Sequence, residues 1–432
     1  MDDYKGTIDY LYGLQRHGIK LGLRNITEIL RRLGDPQEAF ASAHIAGTNA
    51  KGSTAHALVS ILKASGARAG LFTSPHLVSF TERMEVDGAE IPEEDVIRLA
   101  RKVREAAGEM NPTFFEVVTA MGFLYFAEKA VEWAVVETGM GGRLDATNSL
   151  SPRVTIITPV ALDHAEFLGS TLEEVAREKA GIIKENAPVV VAPQGPEAMR
   201  VIRARAGEMK APLHVAGEDF AFSITNRGAE GLTFDYSSGS LALNALRVPL
   251  VGDYQALNAS LAVRAFELVA GDAGEGAVRE GLLGMRPPGR LELIRHEPPV
   301  YLDGAHNPAA AEALARALEG LGMRPVMVIG VMGDKDVEGI LAPLLPLAEG
   351  AIFASPGYGR SAPAERRLGS ARALGYEGET APTVREALEA ALARGKPVLV
   401  TGSFFTIGEA KEALLGAAPS RIARLGEWQA AP

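Results

Sequence analysis

Cysteine is absent from the 432 residues, and with it disulfides, thiolate nucleophiles and thiolate metal sites are excluded. Any metal must therefore sit on oxygen or imidazole. No uninterrupted apolar run approaches the roughly 20 residues needed to cross a bilayer, so no membrane partner is expected. The opening segment MDDYKGTIDYLYGLQ lacks the basic start, apolar core and small-residue cleavage site of a secretory leader, which leaves a cytoplasmic location as the expectation. An excess of cations is missing as well. The formal net charge of −10 argues against a nucleic-acid partner bound without regard to sequence, because that mode neutralises phosphates with surplus Lys and Arg. A small anionic ligand stays compatible, since only local charge matters to it. What is present is an ordinary globular composition, 47% hydrophobic and 23% charged. The length makes two domains the default.

The chain is organised around His44–Thr54, HIAGTNAKGST. A strand-like approach runs through a glycine-rich turn carrying Lys51 and Ser53, then opens into the apolar-periodic run His56–Ala64. A strand, loop and helix in that order aim backbone N–H groups and a positive helix end at one point. With a lysine in the loop, a polyphosphate is the natural occupant. The match to GxxxxGK[ST] is imperfect: Gly52 separates Lys51 from Ser53, and Ala50 stands where glycine is expected before the lysine. The competing reading is an ordinary strand-to-helix turn with a chance lysine.

Around this stretch the pattern alternates strand and helix. Ala69–Thr73 has strand character and ends in the turn Ser74–Pro75–His76, either a ligand rim or a plain structural turn. Glu93–Ala107 reads as a charged helix, and Phe114–Ala127 as a strongly apolar one with Phe115 and Glu116 at its start. Glu116 calls for a partner or ligand, or else a solvated first-turn position. Ala134–Glu137 and Val154–Pro159 read as buried strands. The first runs into TGMGGRLDATN and the second into ALDHAEFLG, which carries Asp163 and His164. Lys179 falls on the inner side of a helix over Thr171–Ile183. From Pro212 to Val251 shorter alternating segments indicate a small antiparallel addition, followed by a helix over Tyr254–Ala270 with Asn258 near its start. The proline-rich Met285–Pro299 holds the expected linker. A second α/β unit begins at Val300 and brings Asp303, His306, Asp334, Lys335 and Ser403 to one rim.

Glu137 and His164 follow neighbouring strands, so both can reach the rim above the phosphate loop. An oxygen ligand and an imidazole beside a polyphosphate suit Mg²⁺, although a turn histidine is the ordinary alternative for His164. Asp163 would support or cap. Lys179, on a semi-buried face, is either a lowered-pKa amine, a snorkelling side chain, or a lysine that takes up CO₂ as a carbamate.

HIAGTNAKGST, TSPH, VETGMGGRLDATN, ALDHAEFLGSTLEEVAREKAGIIK, PGR, LDGAHNP, GDKD and TGSFFTIGEA occur in the order seen in the folylpolyglutamate synthase and dihydrofolate synthase family of the Mur ligase superfamily, which this chain resembles over nearly its whole length. The resemblance implies an α/β fold. An N-terminal, mostly parallel ATPase domain with a phosphate-binding loop and a small antiparallel addition (1–289) would pass through a linker (290–299) to a smaller Rossmann-like α/β domain (300–432). It implies an ATP-dependent ligase adding L-glutamate to dihydropteroate or a reduced folate. Gly47, Thr48, Asn49, Ala50, Lys51, Gly52 and Ser53 would bind ATP together with Asn258, Arg290 and Asp303. Ser74, Glu137 and His164 would ligate Mg²⁺, two ions in all, with carbamylated Lys179 as a further oxygen ligand. Lys51, Lys179, His164 and Glu137 would form the catalytic group. His306 and Ser403 would help hold glutamate; Phe115 and Glu116, with Leu21–Asn25, would lie near the pterin. Small-molecule partners only and a monomeric chain are implied. The competitors are a cell-wall Mur ligase acting on a UDP-linked sugar, a nucleotide-binding regulatory protein without catalysis, and a simple ATPase or kinase.

Overall fold

The computed structural model describes residues 3–18, 22–270, 274–357, 361 and 363–416. Valine- and isoleucine-rich runs without polar alternation are suited to strands covered on both faces, and they form the middle of a large sheet. Strands β1 (Ala41–Ala46), β2 (Ala69–Phe72), β3 (Met84–Val86), β4 (Ala89–Glu90), β5 (Trp133–Glu137), β6 (Val154–Ile157), β7 (Val189–Val191) and β8 (Leu213–Val215) lie in the order β4-β3-β2-β5-β1-β6-β7-β8. All pairings from β2 to β8 are parallel, and β3 and β4 add an antiparallel edge. The order reverses at β1, which separates β5 from β6, so the strands before Glu137 and His164 are not neighbours as expected but flank β1; at such a switch point the carboxyl ends of the strands leave a crevice for a ligand.

Helices cover both faces, as the alternation predicted. On one face the helix Lys51–Ala64 packs against Tyr254–Ala270 and Glu275–Gly284. The approach at Gly281 is so close that a Cβ there would lie 2.5 Å from the Ile61 Cα. On the other face Phe114–Glu128 buries Val117, Met121 and Phe123 with Phe72 and Val136. The expected antiparallel addition is present as β9 (Phe220–Gly228), β10 (Gly231–Ser238) and β11 (Ala242–Val248). Tyr254–Ala270 spans the residues its pattern predicted, whereas Thr171–Ile183 is trimmed to Leu172–Ala180. The helices Pro196–Glu208, Glu275–Gly284 and Ala364–Ala373 were not anticipated; the first buries only Ala198, Ile202 and Ala206.

The second sheet is ordered β12-β13-β17-β14-β15-β16, from strands Glu292–His296, Pro299–Leu302, Val398–Thr401, Val326–Ile329, Gly350–Ala354 and Glu379–Ala381. Within the expected linker, residues 292–296 form β12, the antiparallel edge of this sheet. Leu77, from the loop after β2, is buried in the second domain's core beside Val300 and Ile407. Among the described residues no helix is long and apolar enough to cross a membrane.

Candidate active site

β1 is buried to its end, and the chain then turns at Gly47, where a Cβ would fall 1.8 Å from Thr158 Oγ1. Only glycine fits that approach. The loop is tied to the segment after β6: the Thr48 N–H donates to the Pro159 carbonyl at 2.9 Å, Thr48 Oγ1 donates to the Ala161 carbonyl at 2.8 Å, and Thr158 Oγ1 donates to the Asn49 carbonyl at 2.7 Å. Ala50 has φ 70° and ψ −2°, the left-handed region in which an L side chain is strained by about 1–2 kcal/mol. The position that departs from the family's glycine therefore is one where glycine's freedom would be used. The helix from Lys51 has no side-chain cap, so its first N–H groups, Gly52 and Ser53 among them, are left for an anion.

Glu137 ends β5 at this helix terminus. Its Oε1 lies 3.6 Å from Lys51 Nζ, and a Cβ on Gly52 would lie 3.5 Å from its Oε2 and 3.9 Å from an Arg290 guanidinium nitrogen. Burial pushes the Glu137 carboxyl up, while Lys51, Arg290 and the Ser74 backbone N–H pull it back. One carboxylate, one ammonium and one guanidinium, the last from the second domain, thus converge on the anion site.

Lys179 is buried, and its Nζ donates to the Gly47 carbonyl at 2.8 Å. Desolvation, helped by the Lys51 charge, holds its amine down to about 7. Its alternative as a snorkelling side chain is thereby removed. His164 has a left-handed backbone, φ 51°, and a side chain 42% exposed. Desolvation, opposed by Asp163, holds the imidazole down to about 4, so it is neutral near pH 7 and fit to ligate. Its nearest acid is Asp163, at 3.9 Å. Asp163 does more than support its neighbour: it pairs with Lys335 Nζ at 2.5 Å and faces His306 Nε2 at 3.6 Å, closing the seam between domains. Among the described residues no three His, Asp or Glu side chains gather into a metal cluster. A single buried carboxylate beside a phosphate site is nevertheless a donor set Mg²⁺ accepts, because phosphate oxygens and waters complete its shell.

From the second domain, Asp303 accepts the Leu291 and Ala305 N–H groups at 2.9 Å each; burial raises its carboxyl against the pull of Arg290. Arg290 lies over the Phe404 ring at 4.8 Å, and His306 donates through Nδ1 to the Gly304 carbonyl at 2.8 Å. Ser403 is buried and caps the helix Phe404–Leu415, bonding the Thr406 N–H at 3.1 Å and the Thr406 hydroxyl at 2.8 Å. Glu116 is likewise a buried member of a capping box with Thr113, accepting its N–H at 2.7 Å, and is not solvated. Asn25 approaches Glu116 at 3.5 Å, and Leu21 lies outside the described residues. Phe115 packs over Gly139, where a Cβ would meet its ring at 2.4 Å. In the helix Tyr254–Ala270, Asn258 donates to Gln255 at 3.0 Å and leaves its buried Oδ1 without a partner among the described residues.

Sequence reasoning missed two groupings. Asn49 and Asn307 exchange carboxamide hydrogen bonds across the domain seam at 3.2 and 3.0 Å. Tyr12, His76 and Arg83 form a buried chain beside Phe114, with Arg83 Nε donating to His76 Nδ1 at 2.6 Å and the Tyr12 hydroxyl 3.1 Å from Nε2. Each joins segments whose nearness no local pattern encodes.

A phosphate loop at the switch point of one α/β domain, closed by acid, base and guanidinium groups from a second, defines a two-domain ligase of the Mur type. Residues 45–266 match the Mur ligase middle domain, and residues 289–404 match the Mur ligase glutamate ligase domain. A curated relative, the dihydrofolate synthase/folylpolyglutamate synthase of Bacillus subtilis, is 35% identical over 427 residues, covering 95% of this chain and 99% of that one. The Escherichia coli enzyme of the same name is 36% identical over 412 residues, 94% of each chain. Folylpolyglutamate synthase of Mycobacterium tuberculosis, solved with ADP and AMPPCP, superposes with a TM-score of 0.91 at 33% identity, covering 96% of this chain and all of that one. The chain belongs to the folylpolyglutamate synthase/dihydrofolate synthase family of ATP-dependent ligases.

Proposed function

We propose that this chain joins L-glutamate to the carboxylate of dihydropteroate, a reduced folate or both, using ATP and passing through an acyl phosphate. The observation that carries the reading is the convergence of Lys51, Glu137 and Arg290 at the uncapped end of Lys51–Ala64, above a loop fixed by Gly47 and Thr158. The substrate carboxylate attacks the γ-phosphate, the bond to the β-phosphate oxygen breaks and ADP leaves, while Lys51, the loop N–H groups and Arg290 stabilise charge on the transferring phosphoryl group. The glutamate amine then attacks the acyl carbon, the tetrahedral intermediate collapses to the amide, and phosphate leaves. Contact between the domains through Asp163, Lys335 and His306 keeps water from the acyl phosphate.

Glu137, Ser74 and His164 are the residues that would hold Mg²⁺, which when bound neutralises phosphate charge. Lys179 is suited to carbamylation: its neutral amine can bond CO₂ and release one proton, giving an anionic oxygen donor beside Gly47. Asn258 and Asp303 complete the nucleotide side, His306 the glutamate side, and Phe115 the pterin side. Ser403 and Glu116 act there through the helix ends they cap. Both sides of the seam come from one chain, so a monomer suffices, acting in the cytoplasm. Full-length similarity to folate enzymes favours this reading over a cell-wall ligase.

The test is ADP release with ATP, Mg²⁺ and L-glutamate, run with dihydropteroate, with tetrahydrofolate and without a pterin. Release with both pterins identifies both synthase activities, and release with one assigns that one. Equal release without any pterin, or none at all, overturns the reading.

A further inference from the structure

Asn307 has a second role beyond capping its helix. Its Oδ1 accepts the Ala310 N–H at 2.9 Å, fixing the start of the helix Pro308–Gly320. The same oxygen accepts from Asn49 Nδ2 at 3.2 Å, while Asn307 Nδ2 donates to Asn49 Oδ1 at 3.0 Å. A side chain 3% exposed and held by its own helix end is a rigid lever, and it meets the phosphate loop one residue before Ala50. Asn49 is otherwise held through its backbone, by Thr158 and Pro159.

We infer that Asn307 is a positioning residue for the phosphate loop: it holds Asn49 so that the left-handed Ala50 and the Lys51 helix end stay aimed at the nucleotide only while the second domain is docked. Domain contact and nucleotide affinity are thereby coupled. The coupling matters more in this chain than with glycine at position 50. An alanine with φ 70° tends to relax out of that conformation, and the Asn49 tie opposes the relaxation. The inference rests on the nucleotide reading of the loop.

The test uses the full chain and Asn307→Ser, because serine caps a helix as well as asparagine but is too short to reach Asn49. The expected result is a roughly tenfold weaker affinity for a non-hydrolysable ATP analogue and an equal rise in KM for ATP, the size of one or two net hydrogen bonds. At saturating ATP kcat stays within about twofold, and Tm is unchanged. Ala50→Gly, which removes the need for support, shrinks the effect of Asn307→Ser when the two are combined. Unchanged nucleotide affinity in Asn307→Ser, or a loss of affinity that only tracks a loss of Tm, overturns the inference. A wild-type chain that binds no analogue overturns it together with the loop reading. A wild-type chain that binds the analogue and shows no glutamate-dependent turnover overturns the proposed ligase activity alone.

Discussion

Replacing Lys179 by methionine removes a buried amine at nearly constant side-chain length, and the structure fixes how stability should respond to pH. The wild-type amine is 4% exposed, touches the Gly47 carbonyl at 2.8 Å, and is held at about 7 by burial. In the unfolded chain the same group keeps its proton up to its usual value of 10.5. Between these two limits the unfolded state carries up to one more proton, so wild-type stability rises with pH by at most about 1.4 kcal/mol per unit. Below about pH 7 the full penalty of the buried cation is present; above about pH 10.5 none remains. Methionine has no such dependence, and leaves the Gly47 carbonyl short of one hydrogen bond, about 1 kcal/mol. Lys179→Met should therefore be the more stable protein at about pH 6.5, with its advantage shrinking by about 3 kcal/mol by about pH 9.5. Urea denaturation in CO₂-depleted buffer, which keeps the amine unmodified, measures this. A difference between the two proteins that stays constant over that range would refute the burial argument.

Ala50→Gly should stabilise the first domain by about 0.5–1 kcal/mol, relief of left-handed strain less the added freedom of glycine in the unfolded chain; a lowered urea midpoint would show that the strain is absent. Ser403→Ala should lower stability by about 1 kcal/mol through the lost cap while moving the KM for glutamate less than about twofold; a large KM effect at unchanged stability would place the hydroxyl on the substrate instead. Removing Mg²⁺ with EDTA should stop ADP release. Glu137→Gln should demand far more Mg²⁺ for the remaining rate and lower kcat by about a hundredfold or more; a variant with the wild-type Mg²⁺ dependence would remove Glu137 from the metal.

The sequence by itself determined the local devices. Buried runs such as those of β5 and β6 read as inner strands, and glycine, lysine and serine after β1 pointed to an anion over a plain turn, because backbone preference and side-chain chemistry act within a few residues. It also marked Ala50 as odd. Whether that oddity strains the loop depended on φ, which only the folded turn sets at 70°. The same division separates Glu116 from Glu137. Both are acids at the ends of apolar segments, yet one is consumed by its own helix cap and the other is left facing Lys51. The closing contacts were beyond any local pattern: Asn49 meets Asn307 across 258 residues of chain, and Asp163 meets Lys335 across 172. Such pairs exist because two separately patterned domains pack against each other, with Leu77 of the first buried in the core of the second, and no local pattern encodes that packing.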